Sequence, residues 1–144
     1  MNMMTKPGWQ YWAIAVVGLL WNCVGATDYT MTAMQVESYV AMMTAEQRAY
    51  VDAFPAWSIA FWALGVWGAL IGSLLMLLRK KLAVTAFAVS LLGLLGTTIY
   101  QYGVSDAPDS FKTPGTMAFS AAIWLIALFL FWYARKKRDE GVLN

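Results

Sequence analysis

Four stretches of the chain carry no charged side chain: Pro7 to Thr27, Ala53 to Leu78, Leu82 to Ser105 and Thr113 to Ala134, which are 21, 26, 24 and 22 residues long. A helix rises about 1.5 Å per residue and bilayer hydrocarbon is about 30 Å thick, so roughly 20 apolar residues suffice to cross it. All four stretches meet that length. Lipid offers no water to an open backbone, which restricts such segments to helices that satisfy their own N–H and C=O groups. The expected fold is an all-α membrane protein, a single bundle over residues 1–144 with four transmembrane helices at about 9–34, 55–78, 82–104 and 114–134.

The side-chain inventory narrows the chemistry. The chain has no histidine and one cysteine, Cys23. That removes imidazole ligands and bases and any internal disulfide. A nucleophile paired with a base, or a close pair of buried acids, is also missing from the pattern, so no catalytic residue, metal site or cofactor is expected and the chain reads as a non-enzyme. Met31, Met34, Met42 and Met43 recur in the second quarter of the chain. Thioethers at this density read as gap-filling apolar groups rather than a soft-metal site.

Basic residues set the expected orientation, because Lys and Arg are retained in cytoplasmic loops. Of the 10, Lys6, Arg79, Lys80, Lys81, Arg135, Lys136, Lys137 and Arg138 fall on one side of the four crossings, whereas Arg48 and Lys112 fall on the other. Both termini are therefore expected in the cytoplasm, with the spans paired as two antiparallel hairpins. Lys6 and the apolar run to Ala26 also resemble a signal peptide, but Trp21 and Asn22 suit a cleavage site poorly, and a retained first helix is expected. The outer segment 36–54 contains Thr44, Ala45, Glu46 and Gln47, a capping-box pattern that predicts a short amphipathic helix.

Helical spacing indicates which faces meet. Ala15, Gly18, Asn22, Gly25, Tyr29 and Thr32 recur every three or four residues in the first span. Ser58, Gly65, Gly68 and Gly72 do so in the second, and Ala86, Ser90, Gly93, Thr97 and Gln101 in the third. Small residues let helix backbones approach in lipid, so Gly18, Gly25, Gly65, Gly68, Gly72 and Gly93 are expected packing positions. Asn22 lies near the midplane and needs a partner. Ser90, Thr97 or a carbonyl beside a second-span glycine are the candidates. Asn22, Tyr29, Ser90, Thr97 and Gln101 are the expected interhelical contacts or solute lining. Asp28, about 24 Å along the helix from Trp12, is either wet, paired with Arg48 or Lys112, or an ion- or proton-coupling carboxylate. Trp124, Phe129, Phe131 and Trp132 on the fourth span are expected to face lipid or a partner.

Leu20, Trp21, Asn22, Gly25, Tyr29 and Met31, followed by Ala45, Glu46, Gln47, Tyr50, Pro55, Ala56 and Trp57, resemble a family of small four-helix bacterial membrane proteins often labelled sugar transporters. The likeness continues through Gly68, Gly72, the leucines before Arg79, and Ser90 to Gly93. It implies the fold and a bacterial inner membrane. Asp28 departs from the family pattern, which is usually apolar there.

Two functions remain in view. The first is a non-catalytic accessory or assembly subunit packed against a larger membrane complex. The second is a small-solute transporter acting as an oligomer. The expected partners are the lipid bilayer and another protein or a second copy, with no nucleic acid. Reporter fusions should check the orientation: joined after Lys81 or Arg138 they are expected to report the cytoplasm, and joined at Asp109 the opposite side. The reverse pattern would refute the charge argument.

Overall fold

The computed structural model describes residues 5–144. In chain order the helices are α1 Trp9–Ala33, α2 Glu37–Val40, α3 Ala45–Asp52, α4 Ala56–Leu77, α5 Leu82–Ile99 and α6 Pro114–Asp139. A π-helical turn, Tyr100–Val104, continues α5, and a 3-10 turn at Asp109–Phe111 precedes α6. Three segments are long and apolar enough to cross a membrane: Ala56–Leu77, Leu82–Val104 and Pro114–Asp139. The 25 residues of α1 match them in length. Gln10, Asn22 and Asp28, with the polar tips of its Trp and Tyr rings, make it less apolar.

Local chemistry accounts for the helix starts. Thr44 caps α3 through a full capping box: its Oγ1 accepts from Gln47 N at 3.1 Å, while Gln47 Oε1 accepts from Thr44 N at 3.1 Å. Thr113 Oγ1 accepts from Thr116 N at the start of α6, and Pro114 occupies the first turn, where its missing N–H leaves no gap. At its other end α6 runs past Ala134 to Asp139. The basic run is thus helical, with Arg135, Lys136 and Lys137 standing 5.3–5.7 Å over the rings of Phe131, Trp132 and Tyr133.

The tightest pairing joins α4 and α5. Gly65 faces the backbone of Gly93 and Leu94, Gly68 faces Ala86 and Ser90, and Gly72 faces the Phe87 ring. The order of these pairs makes the two helices antiparallel. A Cβ on Gly93 would lie 2.3 Å from Gly65 N and 2.5 Å from Phe61 O, so the backbones touch. Ser90 Oγ donates to Gly65 O at 2.6 Å across the same seam. The α1 helix packs on α4, where the Tyr11 hydroxyl donates to Met76 O and Gly18 approaches Ser73. The α6 helix packs on α5, and Trp124 Nε1 donates to Thr98 Oγ1 at 3.1 Å.

The core is concentrated at one end. Tyr11, Ala15, Met76, Ala83, Phe87, Leu130, Tyr133, Val142 and Leu143 are buried together there. Residues 141–144 turn back over the bundle. Asn144 N donates to Arg79 O at 2.8 Å and Asn144 O accepts from Lys81 N at 2.9 Å. Arg79 also donates from Nε to Val142 O and from Nη2 to Thr5 O. Its φ of 57° lies in the left-handed region, which is unfavourable for a side chain by about 1–2 kcal/mol. The bonds from two chain segments hold it there.

The seam gives a direct test. Gly93→Ala places a Cβ against backbone that cannot rotate aside and should destabilise the protein by about 1–3 kcal/mol, the usual cost of overpacking. Gly25 has nothing within 4 Å of an added Cβ. Gly25→Ala should therefore be neutral or stabilising by up to about 1 kcal/mol, since alanine is the better helix former. Denaturant unfolding of both variants in the same detergent measures the contrast.

Candidate functional site

Because α1 is mounted on α4 and α6 on α5, the helices α1 and α6 approach most closely where the core closes. Gly18 touches Leu130 there, and the rings of Tyr11 and Tyr133 lie 6.3 Å apart. Toward the other end they separate and leave a cavity of about 1230 Å³ between α1, α4, α5 and α6. Phe87, Ile126 and Leu130 form its base, and Asp28, Tyr39, Gln101 and Tyr102 lie at its mouth. From Phe87 to Gln101 it follows α5 for about 21 Å. Trp21 and Phe119, with ring centroids 5.9 Å apart, reach toward each other across the gap.

The polar groups of the lining are uncharged except at the mouth. Asn22 is only 9% exposed. Its Nδ2 donates to Ala69 O at 3.1 Å and to Ser73 Oγ at 2.7 Å, both on α4. The carbonyl beside a second-span glycine is thus the partner found. Ser90 and Thr97 do not bond Asn22: Ser90 donates to Gly65 O and Thr97 to Gly93 O. Thr98 donates to Leu94 O at 2.8 Å. The amide N–H groups of Asn22 and the hydroxyls of Ser90, Thr97 and Thr98 are therefore all engaged by protein oxygens.

The amide of Gln101 makes no side-chain hydrogen bond among the described residues, and it lies in the π-helical turn at the rim. A π-helical turn is a rare insertion that recurs at functional sites. Tyr100, in the same turn, is covered by Tyr50, Phe54 and Trp57, whose rings lie 5.3–6.4 Å away and bind the outer segment to α4 and α5.

Several positions differ from the sequence expectation. Gly25 is not a packing glycine, since it faces the cavity with nothing near its Cα hydrogens. Tyr29 does not line the cavity but packs edge-on against Trp62 at 4.8 Å and Trp67 at 6.3 Å. Trp124 turns inward to Thr98 and forms part of the cavity wall, because its indole N–H needs an acceptor that lipid lacks. Phe131 packs against the core, whereas Phe129 and Trp132 are exposed. Gly18, Gly65, Gly68, Gly72 and Gly93 sit at helix contacts.

Asp28 pairs with neither Arg48 nor Lys112. Arg48 reaches Glu37 at 3.5 Å and Lys112 reaches Asp106 at 3.8 Å. Asp28 instead accepts a hydrogen bond from the Tyr39 hydroxyl at the start of the outer segment. That bond, followed by burial and the carboxylate's charge, pushes the Tyr39 phenol from 10.0 up to about 12. Tyr39 carried no signal in the sequence, because the loop that returns it over α1 was not legible there. Among the described residues, no three His, Cys, Asp or Glu side chains gather as a metal site. Comparison with protein-family models, curated proteins and solved structures finds no match.

The Asp28–Tyr39 contact has a titration signature. A phenol whose pKa is raised on folding adds stability that is present below its unfolded pKa near 10 and is lost as pH rises through about 12. Asp28→Asn removes the carboxylate charge, and one tyrosine should then titrate nearer its ordinary value. Near-ultraviolet tyrosinate absorbance of the variant against wild type reads this shift, and superimposable titrations would contradict the contact.

Proposed function

We propose that the chain is a non-catalytic small-solute transporter with four membrane-crossing helices. On this reading α1 is the fourth span, and the helices form two antiparallel hairpins with both chain ends on the cytoplasmic side of a bacterial inner membrane. The length of α1 and the antiparallel order of its contacts with α4 support the extra crossing. The basic run on α6 supports the orientation.

The observation that carries the proposal is the 1230 Å³ cavity, which is closed at the core end and open at the other. Its volume is somewhat above the usual range of small-molecule sites, and its wall combines apolar surface with a few convergent polar groups, the usual composition of such sites. Asn22, Ser90, Thr97 and Gln101, read from helical spacing as possible solute lining, all border it, whereas Tyr29 does not. In the proposed orientation this geometry is an outward-open state. The tail at residues 141–144 and Arg79 then close the cytoplasmic end.

A second reading, the accessory subunit, keeps support from α6. Leu125, Phe129 and Trp132 leave its outer surface apolar, with exposures of 67%, 42% and 54%. Such a surface suits a larger membrane partner or a second copy as well as lipid.

Cys23, the single cysteine, is exposed and borders the cavity, so the native chain carries its own probe. In oriented vesicles a small membrane-impermeant thiol reagent added on the outer side should label it. Gly25→Phe, which places a ring one helical step away in open space, should slow that labelling sharply. Failure to label Cys23 from the aqueous outer side, with labelling restored on removal of a co-purifying protein, would replace transport with the accessory reading.

A further inference from the structure

The unengaged atoms of the cavity identify what it would hold, an inference that rests on the solute-site reading above. Both Asn22 N–H groups are occupied by Ala69 O and Ser73 Oγ, which also fixes which way round the amide stands. The Oδ1 of Asn22 has no partner among the described residues, and it is not among the occluded polar atoms. It therefore opens into the cavity that Asn22 borders. A side chain 9% exposed with an unpaired acceptor is costly unless something supplies a donor.

The neighbouring hydroxyls sharpen the point. Ser90, Thr97 and Thr98 each direct their hydrogen to a backbone carbonyl. What they leave toward the cavity is lone pairs. The hydroxyls of the base thus offer acceptors only, so a carboxylate or phosphate beside them would meet oxygen; among the described residues, the donors left unpaired in the lining are the indole N–H groups of Trp21 and Trp62 and the Gln101 amide. A cation would meet no carboxylate, since Asp28 stands at the mouth and is engaged by Tyr39. A sugar would bring several hydroxyls, each needing both donor and acceptor, to a lining made mostly of apolar side chains, and each hydroxyl left unpaired costs about 1–3 kcal/mol.

We propose that the cavity binds an uncharged, largely apolar molecule with a hydroxyl donor at one end, its O–H directed to Asn22 Oδ1 and its apolar body lying outward along Trp21 and Trp124. An extended body of about ten carbons fits within the roughly 21 Å from Phe87 to Gln101, with its outer end part-way to the mouth. The gap between α1 and α6 gives such a molecule a route from lipid.

The test uses the full chain in lipid nanodiscs, with quenching of tryptophan fluorescence by brominated probes as the readout. Trp21, Trp62 and Trp124 border the cavity. ω-Bromoundecanol should quench saturably and be competed by undecanol. Bromoundecane, ω-bromoundecanoate and ω-bromoundecylammonium should bind about tenfold or more weakly, the factor that one hydrogen bond supplies. Asn22→Leu should remove the preference for the alcohol over bromoundecane. Should that variant fail to fold, the probe series on wild type decides alone. Equal binding of the alkane, tighter binding of either charged probe, or competition by glucose would overturn the ligand class while leaving the cavity reading in place. Absence of saturable quenching by every probe, or saturable quenching unchanged in Gly25→Phe, would overturn the cavity reading itself.

Discussion

The rest of the bundle depends on the backbone contact between α4 and α5. With Gly65 and Gly93 opposed, these helices come closer than any side chain larger than hydrogen permits, and Ser90 fastens them with a hydrogen bond to Gly65 O. In lipid the gain comes from packing and hydrogen bonding rather than from hiding apolar surface from water, so such a seam is the natural rigid element. It also sets where the other helices go. One outer helix docks on each member of the pair, and the distance between the two then depends on what lies between their outward faces. At the core end Leu130 fills the notch left by Gly18 and draws them together. Toward the other end no such pair exists, and the cavity is the space that results.

Most polar groups within this frame follow one rule, since each donor in lipid requires an acceptor nearby, with the buried Thr32 Oγ1 an exception among the described residues. Thr27, Thr30, Thr97 and Thr98 meet it within their own helices, through the carbonyl four residues back. Asn22 and Ser90 meet it across helices, and those bonds lock α1 to α4 and α5 to α4. Hydroxyls and amides treated this way keep only acceptor capacity on their open side. The chemistry of the cavity floor is therefore a by-product of how the bundle satisfies its own donors, which is why its selectivity can be argued from the hydrogen-bond pattern.

Much of this was legible in the sequence because it rests on long-range composition or on local rules. Helix length and charge-free runs located α4, α5 and α6, and the capping box located α3. Helical spacing groups Asn22, Tyr29, Ser90, Thr97 and Gln101, of which all but Tyr29 border the cavity, since a shared face is a local property. Which face meets which helix is not local. Gly25 lies on the same stripe as Gly18, yet only Gly18 has a neighbour, because α1 diverges from α6 between them. Trp124 was read as an outward ring although its N–H could be satisfied only inward, by Thr98. The π-helical turn and the return of residues 141–144 have no periodic signature, and both are fixed by contacts with segments distant in the chain.

The closed end differs from the open one in kind as well as in density. Val142 and Leu143 are each 2% exposed and fill the bundle, while the backbone bonds of Asn144 with Arg79 and Lys81 tie the tail to the turn between α4 and α5. Arg79 holds this arrangement at a left-handed φ, so the closed end is tightly packed yet carries local strain. Removal of Val142 and Leu143 would expose apolar side chains to the polar boundary and leave the Arg79 guanidinium without its Val142 partner. Tail, turn and the segment at Thr5 are thus tied to one another by hydrogen bonds. Between α1 and α6, by contrast, the gap is bridged by the Trp21 and Phe119 rings, whose rotation involves no backbone bond. The cavity is thus bounded by side chains alone toward its mouth and by hydrogen-bonded backbone at the core end.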